Sequence, residues 1–167
     1  MLAEYRPFLE GYGNFLLFMQ HTSGERAGSF DHYFVSPDHG HYQRSTTIYP
    51  GEILFGLSRV YRLTGDPRIP PAFAQAVQYE RGYFERETKI REPDGTYQNQ
   101  RRADLVQFVP WISMAMNDMV LALGDADPVQ AREYTDFGVW VSDWVAQEYI
   151  FDEARSFYPK YLGEYFK

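Results

Sequence analysis

Apolar positions along this chain repeat every three to four residues in five separate runs, divided by stretches rich in Gly, Pro, Asp and Ser. The clearest run is residues 48–66, IYPGEILFGLSRVYRLTGD, where Ile53, Leu54, Leu57, Val60, Tyr61 and Leu63 share one helical face. Pro50 suits the first turn of that helix and Gly65 a left-handed stop. Pro67, Pro70 and Pro71 then lead into a helix over 72–87. Residues 104–123, DLVQFVPWISMAMNDMVLAL, form the most apolar helix; Pro110 either kinks it or is tolerated by tight packing. It stops at Gly124-Asp125, and a fifth helix spans 128–150. A first helix covers 8–20, weakened by Gly11 and Gly13. Between these runs the chain is turn-rich. FDHYFV and HYQRS flank SPDHG as a short β-hairpin, and Pro93-Asp94-Gly95 tips a second loop over 89–102. The tail 151–167 is aromatic and turn-like.

The order of these features repeats. SPDHGHYQ at 36–43 resembles EPDGTYQ at 92–98, and each leads through an arginine, Arg44 or Arg101, into an apolar helix. Those helices end in LTGD at 63–66 and LGD at 123–125, and a proline opens the helix after each. The period is roughly 55 to 60 residues, the length of one helical hairpin with its loop.

Composition narrows the classes. A chain of 167 residues supports one domain with a real core. A net charge of −7 excludes a general nucleic-acid binder, which needs a basic face. Aromatic residues reach 18%, which suits both helix packing and the lining of a sugar or peptide groove. The absence of cysteine removes disulfides, thiol nucleophiles and thiolate metal sites, and leaves the compartment open. No stretch reaches about 18 unbroken apolar residues, so no membrane span is expected. The opening MLAEYRPFLEGYGNFLLFM carries acids, Arg6 and Pro7 ahead of its apolar run and makes a poor signal peptide. Glycine-rich phosphate loops, G-x-S-x-G elbows and HExxH motifs are missing.

YPGEILFGLSRVYRLTGDPR resembles the inner-to-outer helix turn of the six-hairpin α/α-toroid superfamily. That superfamily holds glycoside hydrolases, unsaturated glucuronyl hydrolases, sugar epimerases and the helical domain of glucuronyl epimerase-like proteins. The likeness rests on Gly-Glu, an apolar helix with a late tyrosine, Leu-Thr-Gly-Asp-Pro and the amphipathic helix that follows. It covers residues 48–86 well and 103–149 loosely. No catalytic motif of the family carries over residue by residue. The resemblance implies an all-α fold of antiparallel helical hairpins forming part of an α/α toroid, with short β-hairpins in the connecting loops. A full toroid has about a dozen helices, so this single domain, 1–167, amounts to about two and a half hairpins. It is then a fragment of a longer chain, or an arc closed by self-association or by another chain; a plain five-helix domain is the simpler alternative.

The resemblance also implies that the loops entering the inner helices, 28–52, 88–104 and 150–165, share one face. Carboxylates, aromatics and arginines there form a set suited to saccharides: rings stack on sugar faces and arginines fork onto uronates. Glu52 and Asp104 are expected to open the two inner helices and, with Asp31, are the candidate catalytic acids. Hydrolysis of a glycoside needs two carboxyls roughly 5 to 9.5 Å apart. First-turn acids also stabilise helix N-termini, the competing explanation for Glu52 and Asp104. His32 and His41 are candidate proton carriers. Tyr33, Tyr42, Tyr49 and Tyr97 are candidate stacking platforms, and Arg44 and Arg101 candidate substrate clamps. His39 and His41 point the same way on a strand, yet they match no metal-ligand spacing, so neither metal nor cofactor is expected. Trp140 and Trp144 share a helix face and read as core, with Glu133, Asp136 and Asp143 as the wet side.

The expected function is a carbohydrate-active domain: glycoside hydrolase, polysaccharide lyase or sugar epimerase, acting through carboxylate and histidine acid–base chemistry on a saccharide. The alternative is a non-catalytic helical-repeat module that binds a protein or glycan on its aromatic loop face. A toroidal peptide or terpenoid cyclase finds neither its metal ligands nor its acid-rich motif here.

Overall fold

Each of the five apolar runs forms a helix. The elements in chain order are α1 Leu2–Phe18, β1 Tyr33–Ser36, β2 Gly40–Tyr42, α2 Tyr49–Thr64, α3 Ile69–Glu87, α4 Asn99–Leu123 and α5 Pro128–Tyr149. This computed structural model describes residues 2–31, 33–36, 40–42, 49–90, 93 and 99–149; the strands, the first residues of α1 and α4 and the last of α5 are described as backbone alone. The fold is all-α. Among the described residues a hairpin sits in the connection from α1 to α2, with β1 antiparallel to β2.

Local chemistry explains most helix ends. Gly65 (φ 70°) and Gly124 (φ 54°) terminate α2 and α4 in the left-handed region, with their N–H groups donating to the carbonyls of Tyr61 and Val120. Pro70 and Pro71 occupy the first turn of α3, where no intrahelical donor is needed, so the helix begins at Ile69, three residues earlier than expected. Two other starts also lie upstream of the expectation. Helix α1 begins at Leu2 and runs through the exposed Pro7, and α4 begins at Asn99, so that Asp104 falls in its second turn. Pro110 sits on the exposed side of an unbroken α4, where water can satisfy the carbonyl left without a donor.

The order of packing is more informative than the helix count. Helices α1 and α2 are antiparallel: Arg6 donates to the Thr64 carbonyl at 3.2 Å, and the glycine faces at Gly13 and Gly56 meet Val60 and Leu16. Helices α2 and α4 instead run parallel, side by side. Gly51 and Phe55 meet Trp111 near the start of the contact, and Arg59 and Arg62 meet Asp118 further along both helices. Helices α3 and α5 are parallel too, with Phe73 against Tyr134 and Phe84 against Trp140 and Trp144. The pair α4–α5 is antiparallel, with Ser113 opposite Ser142 and Met116 opposite Gly138. The result is two layers: α2 and α4 in one, α1, α3 and α5 in the other, pointing the opposite way. An up-and-down bundle would alternate neighbours; here successive hairpins are stacked in register.

Between the layers lies the core. Leu54, Leu57, Ile69, Phe73, Phe84, Phe108, Ile112, Phe137 and Val141 are fully buried. Each such side chain contributes about 1.5–3 kcal/mol relative to exposure. Phe84 stacks on Phe108 at 5.5 Å and meets Trp140 and Trp144 edge-on, a geometry that adds to area burial. Trp144 is buried, as expected, while Glu133, Asp136 and Asp143 face water. The segment Leu105–Leu123 is long and apolar enough by composition to cross a membrane. Its Leu105, Phe108, Ile112, Ala115, Met116 and Met119 are core residues, while Met114 and Leu121 are exposed.

Candidate functional site

Because α2 and α4 run parallel, their N-termini lie at one end of the molecule. The C-terminus of α1 reaches the same end, since Tyr12 and Leu16 pack on Gly56 in the first half of α2. This end holds the starts of α2 and α4, on which Tyr49, Glu52, Arg101 and Asp104 fall. Tyr49 is half-buried at the start of α2, and Glu52 is half-buried in its first turn. Among the described residues Glu52 makes no hydrogen bond or ion pair, so nothing ties its carboxylate to the helix N-terminus. Gly51 sets how α2 meets α4: a Cβ there would come within 2.6 Å of the Trp111 Cβ. Aligning Gly51 with Trp111 leaves α4 projecting about twelve residues, roughly 18 Å, past that level. Asp104 and Arg101 lie on this projection, with Asp104 about eight residues, roughly 12 Å of axial rise, ahead of Glu52.

In the hairpin, Tyr33 pairs with Tyr42 and Phe34 with His41. His32, Arg44 and Tyr97 lie outside the described residues, as do His39 and the tail from 150.

Asp31 is placed in full. Only 4% exposed, it accepts from His21 Nε2 at 2.7 Å, with Arg26 Nη2 at 3.6 Å from the same oxygen. Its amide donates to the Met19 carbonyl just past α1. The loop holding the three residues is compact: His21 N–H donates to Ser29, Gly28 N–H donates to His21, and Gln20 bridges to Phe30. It lies along α3, where Gln20 Nε2 donates to the Ala72 carbonyl at 2.8 Å. Gly28 (φ 96°) presses against the Gln75 carbonyl so closely that any Cβ would collide with it. With the proton on Nε2, the carboxylate orients a half-exposed imidazole whose Nδ1 is the basic atom, an arrangement able to take up and return a proton. Asp31 is therefore the partner of His21, not an acid facing solvent.

Sequence reasoning passed over His21 and Arg26. Their signal was faint: two glycines, Gly24 and Gly28, whose positive φ folds the loop back on itself.

Two further acids are buried. Asp118 sits on the seam between α2 and α4, 4% exposed, with Arg62 Nη1 donating to Oδ1 at 2.7 Å. Arg59 touches Oδ2 without lining up as a hydrogen bond, and its guanidinium lies 4.9 Å from the centre of the Phe55 ring. An aspartate inside the most apolar run of the chain was the available hint. Glu80 lies within the buried stripe of α3, 3% exposed. Burial pushes its carboxyl up to about 8, with the positive charge of Arg86 opposing the shift. At neutral pH it is mostly protonated. Among the described residues no three His, Asp or Glu side chains come together as a metal site. The chain matches no family model, no curated protein and no solved structure.

Proposed function

We propose that this chain is an arc of the α/α-toroid kind that binds a saccharide at the end where α2 and α4 begin, and acts on it by acid–base chemistry. The observation carrying the reading is the parallel pairing of α2 with α4, with α3 and α5 parallel in the second layer. Stacked hairpins of that order bring the incoming loops of both inner helices to one face. Glu52 and Asp104 are the candidate acids of this reading, Arg101 its clamp, and Tyr49, Tyr33 and Tyr42 its stacking rings. His21, oriented by Asp31 in the loop after α1, joins His32 and His41 as a candidate proton carrier. The substrate class is a neutral or uronic saccharide, and the reaction an elimination or epimerisation; hydrolysis by Glu52 and Asp104 would need their carboxyls closer than the roughly 12 Å of axial rise between them.

The engagement of Asp31 with His21 and Arg26 favours a second reading, a non-catalytic saccharide-binding module, because it removes one free acid from the set. Calorimetric titration with neutral and uronic oligosaccharides tests both, using wild type, Glu52→Gln and Arg101→Ala. Saccharide binding weakened by Arg101→Ala supports the face. Product formation lost in Glu52→Gln, with binding retained, selects the enzyme. Absence of binding to any saccharide at millimolar concentration by folded protein ends the proposal.

A further inference from the structure

The two ends of the hairpin stack carry complementary surfaces. On α1, Tyr5, Phe8 and Tyr12 recur at i, i+3 and i+7 and stand 56, 73 and 42% exposed, a ridge along one flank of the helix. At the other end, α4 and α5 enclose a groove of about 310 Å³. Its floor is Met116, Val120 and Tyr134, and Gly138 and Ser142 keep one wall low. Met114, Leu121 and Val139 stand exposed along or beside it. We propose that a second copy of this chain docks head to tail, its α1 ridge seated in the α4–α5 groove.

Three observations commit the groove to this occupant. Helices α1, α3 and α5 point the same way, and α5 already packs parallel on α3 through Phe73–Tyr134 and Phe84–Trp140. A copy whose α1 lies parallel on α5 continues the step the chain makes internally. The shapes agree as well: large rings at helical spacing face a groove with a glycine and two serines in its walls. The areas also agree. With roughly 200 Å² per ring, the ridge exposes about 350 Å², and Met114, Leu121 and Val139 add about 250 Å² on the groove side. Their sum is close to the apolar share of an interface of about 1,000 Å², near the lower bound for a specific contact. Such a contact is heterologous, so it propagates to a closed ring or a filament. It is independent of what the loop face binds.

The test is complementation, followed by sedimentation velocity from about 1 to 200 µM. Phe8→Glu removes the ridge, and Val139→Arg blocks the groove; both positions are solvent-facing, and circular dichroism checks that each variant keeps the wild-type helix content. Wild type is expected to associate with rising concentration. Each variant alone should be monomeric, with dissociation constants raised at least 30-fold. An equimolar mixture should recover a 1:1 dimer, because one intact ridge and one intact groove remain. A monomeric wild type at 200 µM overturns the proposal, as does a Val139→Arg protein that still self-associates or a mixture that stays monomeric.

Discussion

Replacing Glu80 with glutamine should change how stability depends on pH, and the size of the change follows from burial. In the folded chain the Glu80 carboxyl titrates near 8, against 4.5 for the free side chain. Between those values the native state holds a proton that the unfolded chain has released. Unfolding stability must therefore fall as pH rises through this window. Below pH 4.5 both states are protonated and the cost vanishes. At 1.36 kcal/mol per unit, the group costs about 1 kcal/mol at pH 5, about 3 at pH 7 and about 5 above pH 9. Glutamine keeps the shape and does not titrate. Urea unfolding followed by circular dichroism at pH 5, 6, 7 and 8 gives the comparison. Glu80→Gln minus wild type should grow by about 2 kcal/mol between pH 5 and pH 7, at unchanged m-value. Parallel stability profiles for the two proteins would show that Glu80 ionises freely in the native state, and the burial argument would fail.

Asp118→Ala removes the acceptor that gathers Arg59 and Arg62 on the α2–α4 seam and should cost about 2–3 kcal/mol in urea unfolding, below the range for fully buried pairs because both arginines reach solvent; a loss under about 0.5 kcal/mol would make the cluster energetically idle. Two glycines of the same helical class should respond with opposite signs. Gly51→Ala drives a methyl into Trp111 and should destabilise by about 2 kcal/mol despite alanine's better propensity, whereas Gly11→Ala, with nothing within 4 Å of its Cβ position, should stabilise by about 0.5–1 kcal/mol. Thermal melts of the pair settle it, and a shared sign would contradict the close approach of α2 to α4.

Helix positions were legible because each apolar stripe is written within a few turns of chain. Gly65 and Gly124 marked their stops for an equally local reason, since only glycine takes a left-handed φ without strain. The starts of α1 and α4 were less legible. The expected first helix began at 8, just after Pro7, yet the hydrogen bond that Pro7 lacks falls at an exposed position and costs too little to end the helix there. Residues 99–103 of α4 carry no apolar stripe to announce them. At the candidate site, Asp31 stood out as an acid without an evident structural role, but its partners did not. His21 reaches it only because Gly24 and Gly28 fold ten residues back on themselves.

By itself the sequence determined the all-α class, the five helices of the described residues, the stops of α2 and α4 and a hairpin-sized period, all carried by neighbours along the chain. Tertiary structure decided which helices run parallel, and thus that α2 and α4 begin at one end. It also decided which acids are exposed. Glu52, Glu80 and Asp118 each lie in an apolar helix and look alike in the sequence. Glu52 remains half-exposed at the loop end, Glu80 is forced neutral inside α3, and Asp118 is paired with two arginines 56 and 59 residues away. A carboxyl's ionisation depends on the solvent and charges around it in space, and those neighbours are supplied by other helices.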